Sequence, residues 1–252
     1  MNTKMIIFVV NLKTCVDRKK EMENQLKKLG LPYMFVEAVY GKALSQEEKD
    51  SLCDYKKIYR RYHRILTDGE IGCALSHKKI YQFMIDNNIE KAIVLEDDVL
   101  LKDNFTECYN ELKNFTNNNF LIKLNADEEN DKYKSPLGII RLNKFILRKN
   151  VFNFWSTASY YIDLQTAKTI MKNHPKIDSV SDDYLRYLAK NVKLRLSYPS
   201  CVNLNEQVKS TLETDRTISN SENTNKENFS DKIRYYLKRI SQFIVGYFNP
   251  FN

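Results

Sequence analysis

The strongest constraint on this chain is the way its first hundred residues alternate short apolar runs with stretches of helical periodicity. Met5 to Val10 is apolar throughout, which suits a buried strand, and from about Asp17 the apolar positions Met22, Leu26 and Leu29 fall at i, i+4 and i+7 on one helix face. Gly30 stands where a helix C-terminus takes a left-handed residue, and Tyr33 to Val36 makes a second strand. Ser45 with Glu48, and Thr67 with Glu70, form capping-box patterns that open a short helix ending near Cys53 and a longer one reaching about Asn87. Between them, Asp54 to Arg64 is expected as a basic, tyrosine-rich connection. Ala92 to Leu95 is again a buried strand. This alternation predicts an α/β fold with a mostly parallel central sheet.

Further along, the pattern predicts a helix over Asn104 to Phe115, a strand over Phe120 to Leu124 and a polar loop from Asp127 to Pro136. A strand over Phe154 to Ile162, a helix over Leu164 to Lys172, a helix over Ser181 to Lys190 capped by Ser181, and a last strand over Lys193 to Ser197 follow. Leu204 to Asn228 is dominated by Asn, Ser, Thr, Glu and Lys. Beyond it Ile233, Leu237, Ile240, Ile244 and Phe248 recur at helical spacing beside Lys232, Arg234, Lys238 and Arg239. The expected organisation is a main α/β domain over 1–203, a polar linker or flap over 204–229 and a basic amphipathic helix over 230–252. That helix suits an anionic membrane surface or the core of the main domain. No apolar run approaches the roughly 18 residues of a membrane span, and Met5 to Val10 lacks a signal peptide's charged lead and cleavage site, so a cytoplasmic protein is expected.

Composition narrows the chemistry. Five cysteines, odd in number and without a CxxC pair, fit neither a disulfide framework nor a zinc knuckle. Three histidines show no HExxH arrangement, so any metal is expected to be held by oxygen. Six glycines leave no P-loop and no GxGxxG fingerprint, so side chains and a metal would have to manage a nucleotide's phosphates. The net charge of +8 suits an acidic partner such as a sugar nucleotide, nucleic acid or anionic membrane, and equally a solvated basic surface.

Three constellations carry candidate chemistry. Glu96, Asp97 and Asp98 directly follow an apolar strand, and open α/β sheets bind ligands at the carboxyl ends of their strands. In an extended segment Glu96 and Asp98 project to the same side, and carboxylates about 5 Å apart at an effective dielectric near 20 repel by roughly 3 kcal/mol. Mg²⁺ or Mn²⁺, sharing its coordination with a diphosphate, would relieve that repulsion; the competing role is a solvated turn. At the end of the first strand, Asn11 could pair with a base or ribose and Arg18 could make a forked contact with phosphate oxygens. The alternative has Asn11 ending the strand, Asp17 favouring the helix dipole and Arg18 in solvent. In the run LTDGEIGCALSH, Glu70, Cys73 and His77 share a helix face. That face is either core or a buttress for the site.

The stretches VVNLKTCVDRKKEMENQLKKLGLPYMFVEAVYGKAL, GEIGCALSH and KAIVLEDDVLL, in this order, resemble glycosyltransferase family 25, the bacterial lipooligosaccharide sugar transferases whose relatives include collagen galactosyltransferases. TASYYIDLQTAKTIM, DDYL at Asp182 to Leu185 and YPSCVNLNEQVKST extend the resemblance over most of the first 210 positions. It implies a GT-A-like fold and an inverting transfer of a hexose, galactose favoured, from a UDP-sugar to a lipooligosaccharide or lipopolysaccharide hydroxyl. The acceptor would be lipid-linked, and the enzyme peripheral on the cytoplasmic face of the inner membrane. The triplet is a variant of the family's DxD in which Glu96 replaces the first Asp. By the resemblance, Glu96 and Asp98 would hold Mn²⁺ or Mg²⁺, and Asn11, Arg18, Glu96 and Asp97 would line the nucleotide side. Asp182 or Asp183 would be the general base, with Asp178 a competitor; their competing role is to favour a helix N-terminus. No nucleic-acid partner is expected. The alternatives are a metal-dependent nuclease or phosphotransferase and a non-catalytic sugar-binding member of the fold.

Overall fold

In the computed structural model, which describes residues 5–125, 138–149, 155–188 and 191–205, the N-terminal apolar run forms strand β1 (Met5–Asn11). Helix α1 (Val16–Leu29) follows and ends on Gly30 at φ 62°, the left-handed residue that only glycine adopts freely. Strand β2 (Tyr33–Glu37) leads into a 3-10 turn at Gly41–Ala43. Both expected capping boxes are formed: Ser45 opens α2 (Gln46–Leu52) and Thr67 opens α4 (Asp68–Asp86), each with its N3 glutamate returning a bond to the cap backbone.

The segment between these boxes is a helix, α3 (Tyr55–Tyr62), and not a connection. Asp54 caps it by accepting the Lys57 N–H at 3.1 Å, and Ile58 is buried against Leu66, Ile71 and Val180. Tertiary burial of one apolar face outweighs the polar composition there.

Strands β3 (Lys91–Glu96) and β4 (Val99–Leu101), helix α5 (Phe105–Asn114) and strand β5 (Phe120–Lys123) come next. They are followed by β6 (Ile140–Arg141), β7 (Ile146–Lys149), β8 (Ser159–Asp163) and helix α6 (Leu164–Asn173). The described chain closes with α7 (Leu185–Leu188), β9 (Lys193–Tyr198) and β10 (Val202–Leu204). Eight strands form one sheet in the order β2-β1-β3-β8-β5-β9-β7-β6, while β4 and β10 pair apart from it. Six of the eight run in one direction and only β8 and β7 reverse, which is the mostly parallel sheet expected from the βα pattern.

Both faces of that sheet are covered, which explains why its central strands are apolar without alternation. Ile7, Val9, Ile93, Leu95, Ile122 and Tyr161 pack with α1 and α5 through Met22, Leu26, Phe105 and Leu112. Phe8, Ala92, Val94, Leu121, Tyr160 and Ile162 pack on the other side with α4 and α6 through Ile80, Met84, Ala167 and Ile170.

Two expected elements come out shorter. The helix foreseen over Ser181 to Lys190 is only the turn α7 among the described residues, because Asp182 and Asp183 direct their side chains to partners outside the segment. The strand foreseen over Phe154 to Ile162 begins at Ser159, after Ser156 has turned to φ 129°. Leu204, expected to open the polar linker, ends β10. The polar loop over Asp127 to Pro136, the linker from 206 onward and the amphipathic helix over 230–252 lie outside the described residues. Among the described residues no helix is long and apolar enough to cross a membrane.

Candidate active site

The parallel pairing of β1 with β3 sets Val10 beside Glu96, so the chain leaves both strands at the same edge of the sheet. There Asn11 Nδ2 donates to Asp97 Oδ2 at 2.6 Å and to the Cys15 carbonyl at 3.0 Å. Arg18, brought round by the first turn of α1, places Nη1 3.4 Å from Asp97 Oδ1 and 3.8 Å from Asp98 Oδ2. The two constellations read separately in the sequence are therefore one unit, with Asn11 and Arg18 bracing the acidic loop.

Arg18, Asp97 and Asp98 line a cleft of about 500 Å³ together with Tyr40, Lys42, Cys73, His77 and Glu96, while Asn11 is buried behind Asp97 and does not line it. The wall at 38–42 lies directly on α4. A Cβ on Gly72 would stand 2.5 Å from the Val39 carbonyl oxygen, and one on Gly41 would stand 1.8 Å from that of Asp68. Glycine at both positions is what lets backbone meet backbone. The Val39 N–H donates to Ser76 Oγ at 2.8 Å and fixes the wall further.

Glu96 lines the same cleft and meets α4 and the segment before β8. The Thr157 hydroxyl donates to Glu96 Oε1, and His77 Nε2 lies 3.8 Å from the same oxygen. Burial alone would raise the Glu96 carboxyl, but His77, Thr157 and the Lys123 charge outweigh it and hold it below the usual value. Asp97 is raised by burial despite Asn11 and Arg18. Asp98 is pushed up to about 6 by burial and by the charges of Glu96 and Asp97, with Arg18 opposing. Crowded carboxylates with a raised member are a hard-oxygen donor set, and they fit a divalent cation such as Mn²⁺ or Mg²⁺.

The acids at 178, 182 and 183 separate. Asp182 Oδ2 accepts the Ser156 N–H at 3.0 Å, next to the Thr157 that bonds Glu96, and does not itself line the cleft. Asp183 is taken by Arg61 Nε and by the Tyr62 hydroxyl at 2.7 Å. Asp178 is taken by Arg186 Nη1 and by His174 Nδ1 at 2.8 Å. Glu70, which shares a helical face with Cys73 and His77, serves the other end of that helix, where Arg64 holds it through two bonds of 2.7 Å.

The structure adds groups that sequence patterns did not single out. Lys123 is buried beneath the cleft, donates to the Ser156 carbonyl and faces the rings of Tyr160 and Tyr184 at 5.9 and 5.2 Å. Its signal was available as a lysine inside the apolar run Phe120 to Leu124. Thr157 carried none.

A family model described as glycosyltransferase family 25 (LPS biosynthesis protein) matches residues 4–185, which takes in the acidic loop, Asn11, Arg18, Asp178, Asp182 and Asp183. The chain belongs to glycosyltransferase family 25. This family 25 chain is 30% identical over 187 residues to procollagen galactosyltransferase 1-A of Xenopus laevis, a match covering 70% of the chain and 30% of that relative. It is 39% identical over 104 residues to human procollagen galactosyltransferase 2, covering 39% of the chain and 16% of the relative. The matches thus span about a third or less of these relatives' length. Among solved structures, a glycosyltransferase involved in glycosylation of the major capsid of PBCV-1 aligns with 85% of the chain and 98% of its own at 11% identity and a TM-score of 0.40.

Proposed function

We propose that this chain transfers a hexose, galactose in the first instance, from a UDP-sugar to a glycan hydroxyl with inversion at the anomeric carbon. The observation that carries this is the acidic loop braced by Asn11 and Arg18 at the floor of the cleft, in a chain of family 25. Asp98 with Glu96 would hold Mn²⁺ or Mg²⁺, which supplies charge neutralisation for the departing diphosphate. Asn11 serves the nucleotide side in this reading by holding Asp97 in place. Arg18, already beside the carboxylates, would make a forked contact with phosphate oxygens when the donor binds.

Asp182 is the base in this reading, favoured because it holds Ser156, the neighbour of the Thr157 that bonds Glu96, whereas Asp183 and Asp178 are ion-paired with Arg61 and Arg186. It takes the proton of the acceptor hydroxyl as that oxygen attacks the anomeric carbon and the bond to UDP breaks on the far side. The acceptor we favour is a lipid-linked lipooligosaccharide or lipopolysaccharide glycan, met at the cytoplasmic face of the inner membrane. The family model's description and the basic amphipathic pattern over 230–252 support it. The galactosyltransferase relatives support the donor.

The test is UDP release from UDP-Gal, UDP-Glc and UDP-GlcNAc with Mn²⁺ and a glycan acceptor, alongside Asp98→Asn and Asp182→Asn. The expected result is release with one donor, lost in both variants. No release from any donor, or full activity of Asp98→Asn in EDTA, would refute the proposal.

A further inference from the structure

Beside the acidic loop stands a second donor set of different chemistry. Cys73 and His77 lie one helical turn apart on α4 and share a face, and Glu96 meets them from the end of β3. Cys73 Sγ, His77 Nε2 and a Glu96 carboxylate oxygen lie within 4.8 Å of one another. His77 is only 1% exposed. Its Nδ1 is 2.7 Å from the Tyr160 hydroxyl, which is itself 2.9 Å from that of Tyr81. Its Nε2 is buried without a hydrogen-bond partner, 3.8 Å from Glu96 Oε1 and beyond bonding distance.

A buried imidazole nitrogen left unpaired and aimed at a carboxylate calls for an explanation. Of the two His77 tautomers, the one whose Nδ1 proton goes to Tyr160 turns the Nε2 lone pair toward the Glu96 carboxylate. A cation between them turns that conflict into coordination, and the Tyr160 bond then does what an outer partner does for a metal-bound histidine, fixing tautomer and ring. We propose that Cys73, His77 and Glu96 form a binding site for a thiophilic divalent cation, Zn²⁺, different in chemistry from the all-oxygen set of Glu96 and Asp98 and sharing Glu96 with it.

The donor types decide the ion. Thiolate with imidazole suits zinc and disfavours Mg²⁺, which takes oxygen. Zinc bonds of about 2.0 to 2.3 Å put tetrahedral donor atoms roughly 3.3 to 3.6 Å apart, so side-chain movements of about 1 Å close the site. The Cys73 thiol gives up its proton to solvent as the metal binds. All three residues line the cleft, which leaves the fourth position to water or a ligand. Because Glu96 serves both donor sets, zinc would withdraw it from the acidic loop.

The probe is Co²⁺ added to chelator-stripped full-length protein, read as the thiolate-to-cobalt charge-transfer absorption. We expect that band in the wild type, its displacement by one equivalent of Zn²⁺ and not by excess Mg²⁺, and its loss in Cys73→Ser. His77→Gln should weaken cobalt binding about tenfold or more, and Asp98→Asn should keep the band. Absence of the band in the wild type, or its survival in Cys73→Ser, would overturn the proposal. Circular dichroism of each variant separates lost binding from lost folding. The readout is independent of sugar transfer, so its failure and the failure of the proposed activity are told apart.

Discussion

Lys123 and Asp182 hold Ser156 from opposite ends, the lysine donating to its carbonyl and Asp182 Oδ2 accepting its N–H at 3.0 Å. The Tyr184 hydroxyl adds a second donor to the same carbonyl at 3.1 Å. Together they keep Ser156 at φ 129°, a conformation that side chains other than glycine's rarely adopt and that persists only where surroundings over-determine it. The next residue is Thr157, which bonds Glu96. Lys123 is thus a positioning residue for the floor of the cleft.

Its burial has a pH signature. Burial depresses Lys123 to about 7, with Glu96 and Asp182 opposing, whereas an unfolded lysine titrates near 10.4. Between these values the unfolded chain keeps a proton that the native chain has released, so stability rises with pH. Relative to Lys123→Met, the wild type should gain up to about 1.4 kcal/mol per pH unit between about pH 7 and 10, and nothing below about 6. Urea unfolding at several pH values measures the difference; a pH-independent offset would contradict it.

Arg18→Ala should raise the KM for the UDP-sugar about tenfold or more and leave the melting temperature within a few degrees. Its ion pairs at 3.4 and 3.8 Å are partly exposed and contribute less than about 1 kcal/mol to folding. Donor affinity measured by calorimetry is the check, and an unchanged value would return Arg18 to a bracing role alone.

Asp178→Asn should destabilise the fold without removing chemistry. Burial would raise Asp178, but His174 and Arg186 outweigh it and hold the carboxyl well below the usual range. A depressed carboxylate contributes stability that is complete above its unfolded value, near 3.9, and is lost as pH falls toward the folded value. Denaturation at pH 7 should show a loss of about 3 kcal/mol that shrinks below pH 4. Turnover per folded molecule should stay within about twofold; a loss beyond a hundredfold would mark Asp178 as the base.

Gly72→Ala forces a carbon to 2.5 Å from the Val39 carbonyl and 2.8 Å from the Gly41 nitrogen. Neither neighbour is a flexible side-chain tip. Thermal unfolding should show a loss of about 3 kcal/mol, and donor binding should weaken with it because the displaced wall lines the cleft.

What was legible in the sequence was local. The capping boxes at Ser45 and Thr67, the stop at Gly30 and the apolar runs of β1 and β3 are decided within a few residues, and all appear as expected. The insertion of β8 between β3 and β5 is a long-range pairing with no local mark. Glu70 belonged to two patterns at once, a helix face and a capping box, and the box with Arg64 prevailed. Asp183 was assigned by its segment, yet its partners Arg61 and Tyr62 lie on α3, more than a hundred positions earlier. Cys73 and His77 failed a spacing test for metal sites because their third partner, Glu96, comes from another element.

Strand β4 carries the far end of the acidic loop, and its pairing partner is β10, a hundred residues later, with the Asn205 N–H also bonding the Asp98 carbonyl at 3.1 Å. During synthesis the Glu96 to Asp98 segment therefore leaves the ribosome long before the strand that pins its outer edge. A nascent chain truncated anywhere between Asp98 and Val202 carries every acid of the loop and lacks the clamp across it. Competence to bind a donor then arrives as a late event, when the returning strand closes over a floor already made.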